Sequence, residues 1–274
     1  MGYMLGIDVS SFQGYIDWKK VKAAGVQFAI MRTIRANGNV DEQLASNIKG
    51  CMENGIPFEF YKYTYADNDA AVRKEVRAVV EALERLGVPK GCRVWYDLEE
   101  DSIIDLGKAH ITHLYNVFKD ELAKNGFVTG LYKGMWDYNN KINKADFKDE
   151  AKWIARYYNG YNEMPFGTVP SEQYRPAPDC DGWQFTSTGK VPGINGRVDM
   201  NIFYGDIVMP KVVTEYYDTP EFTLIDSLNK IGADSSFKHR AKIAKANNIQ
   251  NYIGSVEQNL LMLQLLNEGN LLKI

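Results

Sequence analysis

The sequence predicts an α/β protein: a modified TIM-like β/α barrel followed by a small all-α module of three helices. Three observations carry that prediction. Residues 1–208 alternate short apolar runs with amphipathic stretches, a polar or aromatic residue closes each run, and the periodicity turns purely helical after residue 219.

The apolar runs lie at 5–9, 26–31, 56–61, 93–96, 127–132 and 152–155, each of strand length. Between them, 70–86 and 108–124 repeat apolar residues at helical spacing. A βαβα rhythm means parallel strands covered by helices, and the number of units suits a closed barrel better than a small open sheet. The closing residues are Asp8, Arg32, Tyr61 with Tyr63, Asp97 with Glu99, Tyr132, Arg156, Gln184 and Asp199. Strand C-termini of a parallel barrel share one face, so these side chains are expected to converge on one acidic, aromatic cleft. Polar residues are also common wherever strands reach a surface, but four carboxylates at three such ends strain that plainer account.

Residues 209–219 (MPKVVTEYYDT) look like a linker, which gives a catalytic domain at 1–208 and a helical domain at 220–274. Thr219 and Pro220 form a helix start, Leu224, Leu228 and Ile231 share a face, and Gly232 stops the helix. Phe237, Ala241 and Ala244 mark a second helix ending near Asn247 and Asn248. Ser255 and Gln258 form a capping box ahead of Leu260, Leu263 and Leu266, with Gly269 as terminator. So small a module needs every apolar contact, or help from docking or self-association.

Bulk composition is that of an ordinary globular chain, with 274 residues, 45% hydrophobic and 24% charged, enough to bury a sizeable core. A net charge of −3 offers no basic excess for nucleic acid. Cys51, Cys92 and Cys180 are odd in number and widely spaced, which argues for reduced thiols and against a disulfide framework or zinc site. No apolar run is long enough to span a membrane, and MGYMLGIDVS is no signal peptide. The chain is therefore expected to be made in a cytoplasm. His110 and His113 have a spacing a metal could use, yet no third ligand is evident, and a solvated helix face is expected. The 17 Tyr and 5 Trp allow sugar stacking, but a large core explains them equally.

The string Arg93-Val94-Trp95-Tyr96-Asp97-Leu98-Glu99-Glu100-Asp101 carries the chemistry. Residues i and i+2 of a strand face the same way, roughly 7 Å apart, so Asp97 and Glu99 enter the cleft together. Glycoside hydrolysis uses one carboxyl held protonated and a second left charged. Crowding of like charges in a partly desolvated cleft raises one pKa and so supplies the acid. Glu100 and Asp101 are expected to face solvent.

The opening Gly6-Ile7-Asp8-Val9-Ser10-Ser11-Phe12-Gln13-Gly14, with Ile16-Asp17-Trp18, resembles glycoside hydrolase family 25. The likeness continues through Gly55-Ile56-Pro57, Asp97-Leu98-Glu99, Gly130-Leu131-Tyr132, Trp153-Ile154-Ala155-Arg156-Tyr157, Trp183-Gln184-Phe185 and Val198-Asp199-Met200-Asn201, and so covers residues 5–204. It implies a muramidase that cleaves the β-1,4 bond between N-acetylmuramic acid and N-acetylglucosamine with retention, without metal or cofactor. It implies Glu99 as general acid and Asp97 as stabiliser of the intermediate, through the substrate's 2-acetamido group. It makes Asp8 and Asp199 further cleft carboxylates, although each could instead cap a loop. Tyr61, Tyr63, Tyr132, Trp183, Gln184 and Arg32 become substrate-binding candidates, and Trp183 could equally be core. Two motifs depart from the family. Arg32-Thr33-Ile34-Arg35-Ala36-Asn37-Gly38 replaces an Ala/Ser-Thr-Glu-Gly pattern, and Glu59-Phe60-Tyr61-Lys62-Tyr63 replaces Gly-x-Tyr-His-Phe. Both are expected on the cleft rim, away from the acid pair.

In the tail, Asp234-Ser235-Ser236-Phe237, Ala246-Asn247-Asn248-Ile249 and Asn251-Tyr252-x-Gly254 resemble a small cell-wall-binding module of Gram-positive phage lysins and amidases. The combined expectation is a phage endolysin released through a holin pore to act on extracellular peptidoglycan. The competing expectations are a non-catalytic glycan-binding protein, and a tail that only self-associates.

Overall fold

A computed structural model describes residues 2–205, 207 and 223–274. The chain divides into two compact units. The first contains nine strands among the described residues: β1 (Met4–Val9), β2 (Phe28–Arg32), β3 (Phe58–Tyr63), β4 (Arg93–Asp97), β5 (Val128–Gly134), β6 (Lys152–Ala155), β7 (Met164–Pro165), β8 (Gly182–Lys190) and β9 (Val198–Phe203). Its helices are α1 (Trp18–Ala23), α2 (Leu44–Glu53), α3 (Asp69–Arg85), α4 (Asp101–Ile104), α5 (Lys108–Lys124) and α6 (Met135–Asn140).

Neighbours run β6-β5-β4-β3-β2-β1-β9-β8, and a further pairing of β6 with β8 closes the ring into an eight-stranded barrel. The two-residue β7 extends the far end of β8. The expected all-parallel sheet is modified at one place: β9 runs antiparallel to both β8 and β1. Residues 191–197 are too few for the dozen or more that a parallel crossover needs, so the chain turns back as a hairpin.

The register puts one side-chain parity inside. Phe28, Ile30, Trp95, Trp153 and Phe203 pack there as a buried aromatic floor, with Tyr132 above. Two glycines make room for the rings. A Cβ on Gly130 would lie 2.4 Å from Trp95, and one on Gly182 would lie 2.4 Å from Phe203. The other parity faces the helices. Tyr96, for example, stacks on Phe118 of α5 at 3.8 Å between ring centres. Both long helices bury a stripe at helical spacing: Val72, Val76, Val79 and Leu83 on α3, and Ile111, Leu114, Phe118 and Leu122 on α5.

The second unit contains α7 (Leu224–Lys230), α8 (Phe237–Ala246) and α9 (Val256–Asn267). The expected start at Thr219 and Pro220, and the expected linker, lie outside the described residues. Described chain enters α7 with Thr223 capping the Asp226 amide. Ser236 caps α8, and Ser255 with Gln258 forms the expected capping box on α9. Leu224, Leu228, Ile243, Ala244, Met262, Leu263 and Leu266 form its core. Two of the apolar residues that mark these helices in the sequence face outward. Leu260 is 57% exposed because α9 turns Met262 inward, and Phe237 is 51% exposed, lying against Tyr252 with ring centres 5.5 Å apart.

Candidate active site

The C-terminal ends of the parallel barrel strands, with the N-terminal end of the antiparallel β9, enclose a cleft of about 570 Å³. Asp8 from β1, Asp97 at the end of β4, Glu99 just beyond it and Asp199 from β9 all line it. Asp8 and Asp199 face each other directly across the β1–β9 pairing.

Asp8 is fixed as an acceptor. Its Oδ2 takes hydrogen bonds from Gln184 Nε2 at 2.9 Å and Asn201 Nδ2 at 2.8 Å. Both amides are oriented in turn. Gln184 Oε1 accepts from the Tyr132 hydroxyl at 2.7 Å and the Tyr157 hydroxyl at 3.0 Å. Asn201 Oδ1 accepts from the Trp153 indole N–H at 2.9 Å. Asp97 is held differently. Among the described residues its Oδ1 is buried without a hydrogen-bond partner.

Electrostatics follow from crowding four carboxyls into one desolvated space. Burial lifts the Asp8 carboxyl to about 6, against the hydrogen bonds from Asn201 and Gln184. Burial raises Asp97 well above the usual carboxylate range, Glu99 and Asp8 push further, and Lys133 and Lys62 oppose. Glu99 is raised by burial first, with Lys133 and the Gly134 amide opposing and Asp137 and Asp8 reinforcing. Asp199 is raised by burial and then by Asp8. The cleft therefore retains carboxyl protons above the range where free carboxylates lose them, as a general acid requires.

Of the other expected residues, Arg32, Tyr61, Tyr63, Tyr132 and Gln184 line the cleft. Arg32 is tied to Asp41 at 2.8 Å and lies 4.9 Å from the ring centre of Phe12. Trp183 does not line it. Gln184 faces inward, so its neighbour faces the opposite side of β8, fully buried, with its N–H on the Arg156 carbonyl at 2.9 Å. Arg156 likewise turns away, to the Tyr174 carbonyl at 2.7 Å. Glu100 accepts from the Tyr63 hydroxyl at 3.1 Å instead of simply facing solvent. Lys62 lies behind β3, 1% exposed on its side chain and 3.0 Å from Glu75, and not on the rim. His110 and His113 tie α5 to the Asp67 carbonyl and the Asp69 carboxylate. Cys51, Cys92 and Cys180 are free thiols.

Residues 7–194 match the family model for glycosyl hydrolases family 25. The chain belongs to that family. It is 25% identical to lysozyme M1 of Streptomyces globisporus over 73% of its own length and 67% of that protein's. It is 24% identical to an autolytic lysozyme of Clostridium acetobutylicum over 75% of its own length and 57% of that protein's. Its fold superposes on the modular autolysin LytC of Streptococcus pneumoniae with a TM-score of 0.62 and 26% identity, covering 74% of this chain and 47% of that one. The catalytic domain of an endolysin from a Listeria monocytogenes bacteriophage superposes with a TM-score of 0.57 and 25% identity, covering 85% and 98%.

Tyr157 and Trp153 also line the family 25 cleft, and the buried Asn201 supports Asp8 from beneath it, three residues that no sequence pattern marked as functional. Asn201 stands two residues after Asp199, so strand alternation alone places it on the same inner face. Phe12 and Tyr65 stand exposed on the rim, 84% and 51%.

Proposed function

We propose that the chain is a lysozyme-type muramidase that cleaves peptidoglycan glycan strands between N-acetylmuramic acid and N-acetylglucosamine with retention, Glu99 donating the proton. The observation that carries this is Asp97 Oδ1, a buried acceptor without a partner among the described residues, beside a second carboxyl on the same strand end. Substrate supplies what it lacks. An acetamido N–H donating to that oxygen favours the Asp97 anion. In the free protein burial raises Asp97 strongly, and the two groups compete for a proton. Binding settles the competition by leaving Asp97 charged and the proton on Glu99. The Asp97 anion then orients the acetamido oxygen, which bonds to the anomeric carbon as the glycosidic bond breaks and Glu99 protonates the leaving oxygen. Water, giving its proton to the Glu99 carboxylate, next attacks the anomeric carbon, breaks the bond to the acetamido oxygen and restores the acid. Asp8, clamped by Gln184 and Asn201, and Asp199 shape the pocket around the distorted sugar.

The tail is read as a wall-binding module, which makes the whole chain an endolysin of a Gram-positive host. The motifs around Phe237 and Tyr252 support the wall-binding reading, and the fold match to the catalytic domain of a phage endolysin supports the endolysin reading of the barrel. Glu99→Gln is expected to lower turnover on purified walls at least ~100-fold, with the folded state retained, and Asp97→Asn to fall severely as well. Wild-type turnover in Glu99→Gln would refute the assignment of the acid.

A further inference from the structure

Two lysines stand behind the acid pair where water does not reach them. Lys62 on β3 and Lys133 on β5 flank β4 on either side. Their side chains are 1% and 0% exposed. The Lys62 ammonium donates to the Tyr63 carbonyl and the Lys133 ammonium to the Leu98 carbonyl. Tyr63 is the register partner of Asp97, and Leu98 separates Asp97 from Glu99. One cation thus grips the β3 peptide beside Asp97, and the other the peptide between Asp97 and Glu99.

Burying an ammonium is costly unless a counter-charge balances it, and an apolar residue of similar volume would do the packing alone. Lys62 has its counter-ion in Glu75 at 3.0 Å. Lys133 has only a loose one, Asp137 at 3.8 Å. The other charged groups facing Lys133 are Glu99, Asp97 and Lys141. Those facing Lys62, besides Glu75, are Asp97 from β4 and Arg32 from β2. Asp8 completes the charge around Asp97 and Glu99, and Asp137 acts on Glu99 as well. The charge that balances Lys133 is shared between Asp137 and the catalytic pair itself.

We propose that Lys62 and Lys133 are positioning residues of the hydrolase: from behind the barrel wall they hold the β4 end in place and supply the positive charge that lets Asp97 ionise beside Glu99. The proposal rests on the muramidase reading. Lys62 acts on Asp97, whereas Lys133 acts on both acids. Removing a cation makes a carboxylate harder to form, so each affected limb of the pH–rate profile moves to higher pH.

The test is the pH dependence of kcat/KM on solubilised glycan strands for the wild type, Lys62→Met and Lys133→Met, with carboxyl-carbon NMR titration of Asp97 and Glu99 in the same proteins. Lys62→Met should move the acidic limb alone upward by about 0.5–1 pH unit, and Lys133→Met both limbs. The carboxyl titrations should move with them. The double variants Lys62→Met/Glu75→Gln and Lys133→Met/Asp137→Asn replace either single variant that does not fold; in the second the Glu99 limb moves up by less, because the opposing Asp137 charge is lost with the lysine. Unmoved limbs and unmoved titrations, with any loss confined to stability or amplitude, would overturn the proposal. A wild type that cuts no glycan would instead overturn the muramidase reading, and the titrations would still decide the role of the lysines.

Discussion

Asp8 and Asp199 show what the cleft costs the fold. They are register partners on β1 and β9, both largely buried, and both pushed up by desolvation. The Asp8 carboxyl moves from 3.8 to about 6, so between about pH 4 and 6 the folded state binds more protons than the unfolded one. Stability contributed by the protonated form is present below pH 4 and is lost as pH rises through the folded value. Asp199→Asn removes one member of the pair. Its melting temperature should exceed that of the wild type at pH 7 and fall less steeply between pH 4 and 7, while activity drops. Parallel melting-temperature profiles would contradict this account. Asp8, Asp97 and Glu99 could be read from the sequence because each closes an apolar run, whereas Asp199 opens β9 and reaches the same face because that strand runs antiparallel. Trp183 could not be placed that way. In a Trp-Gln pair either residue can face inward, and the parity is set by Gly182 lying under Phe203, a tertiary contact. Lys62 was misplaced for a related reason. A lysine at a strand end suggests solvent, and its burial is made tolerable by tertiary partners, Glu75 of α3 first and the Tyr63 carbonyl with it.

At the scale of elements, glycines decide how the barrel fills. Gly130 on β5 lets the Trp95 ring lie across the strand. A methyl group there must displace a fully buried indole, so Gly130→Ala should destabilise the barrel by about 1–3 kcal/mol in urea unfolding. A loss below ~0.5 kcal/mol would mean that the floor repacks freely. Strand and long-helix positions follow closely from periodicity, as with Lys108–Lys124, because amphipathic spacing reports which face is buried. The antiparallel β9 did not. Hydrophobic alternation carries no strand direction, and only the shortness of residues 191–197 betrays the hairpin. In the tail, the caps at Ser236 and Ser255 are local hydrogen bonds, and the Ser255-x-x-Gln258 pattern announces the second of them. The outward turn of Leu260 depends on how α9 meets its neighbours, which spacing alone does not report.

At the scale of the whole molecule, the account assigns cutting to the barrel and wall retention to the tail. Full-length Glu99→Gln should sediment with purified Gram-positive walls, and a chain ending at residue 208 should remain largely in solution. Equal sedimentation of the two would transfer wall affinity to the barrel, and self-association of the full chain without sedimentation would leave the tail a purely structural role. The central claim is tested most directly by digesting peptidoglycan, reducing the new ends with borohydride and identifying them by mass spectrometry. The account predicts reduced muramic acid ends that disappear with Glu99→Gln. Reduced glucosamine ends, or no new ends from any wall, would contradict it.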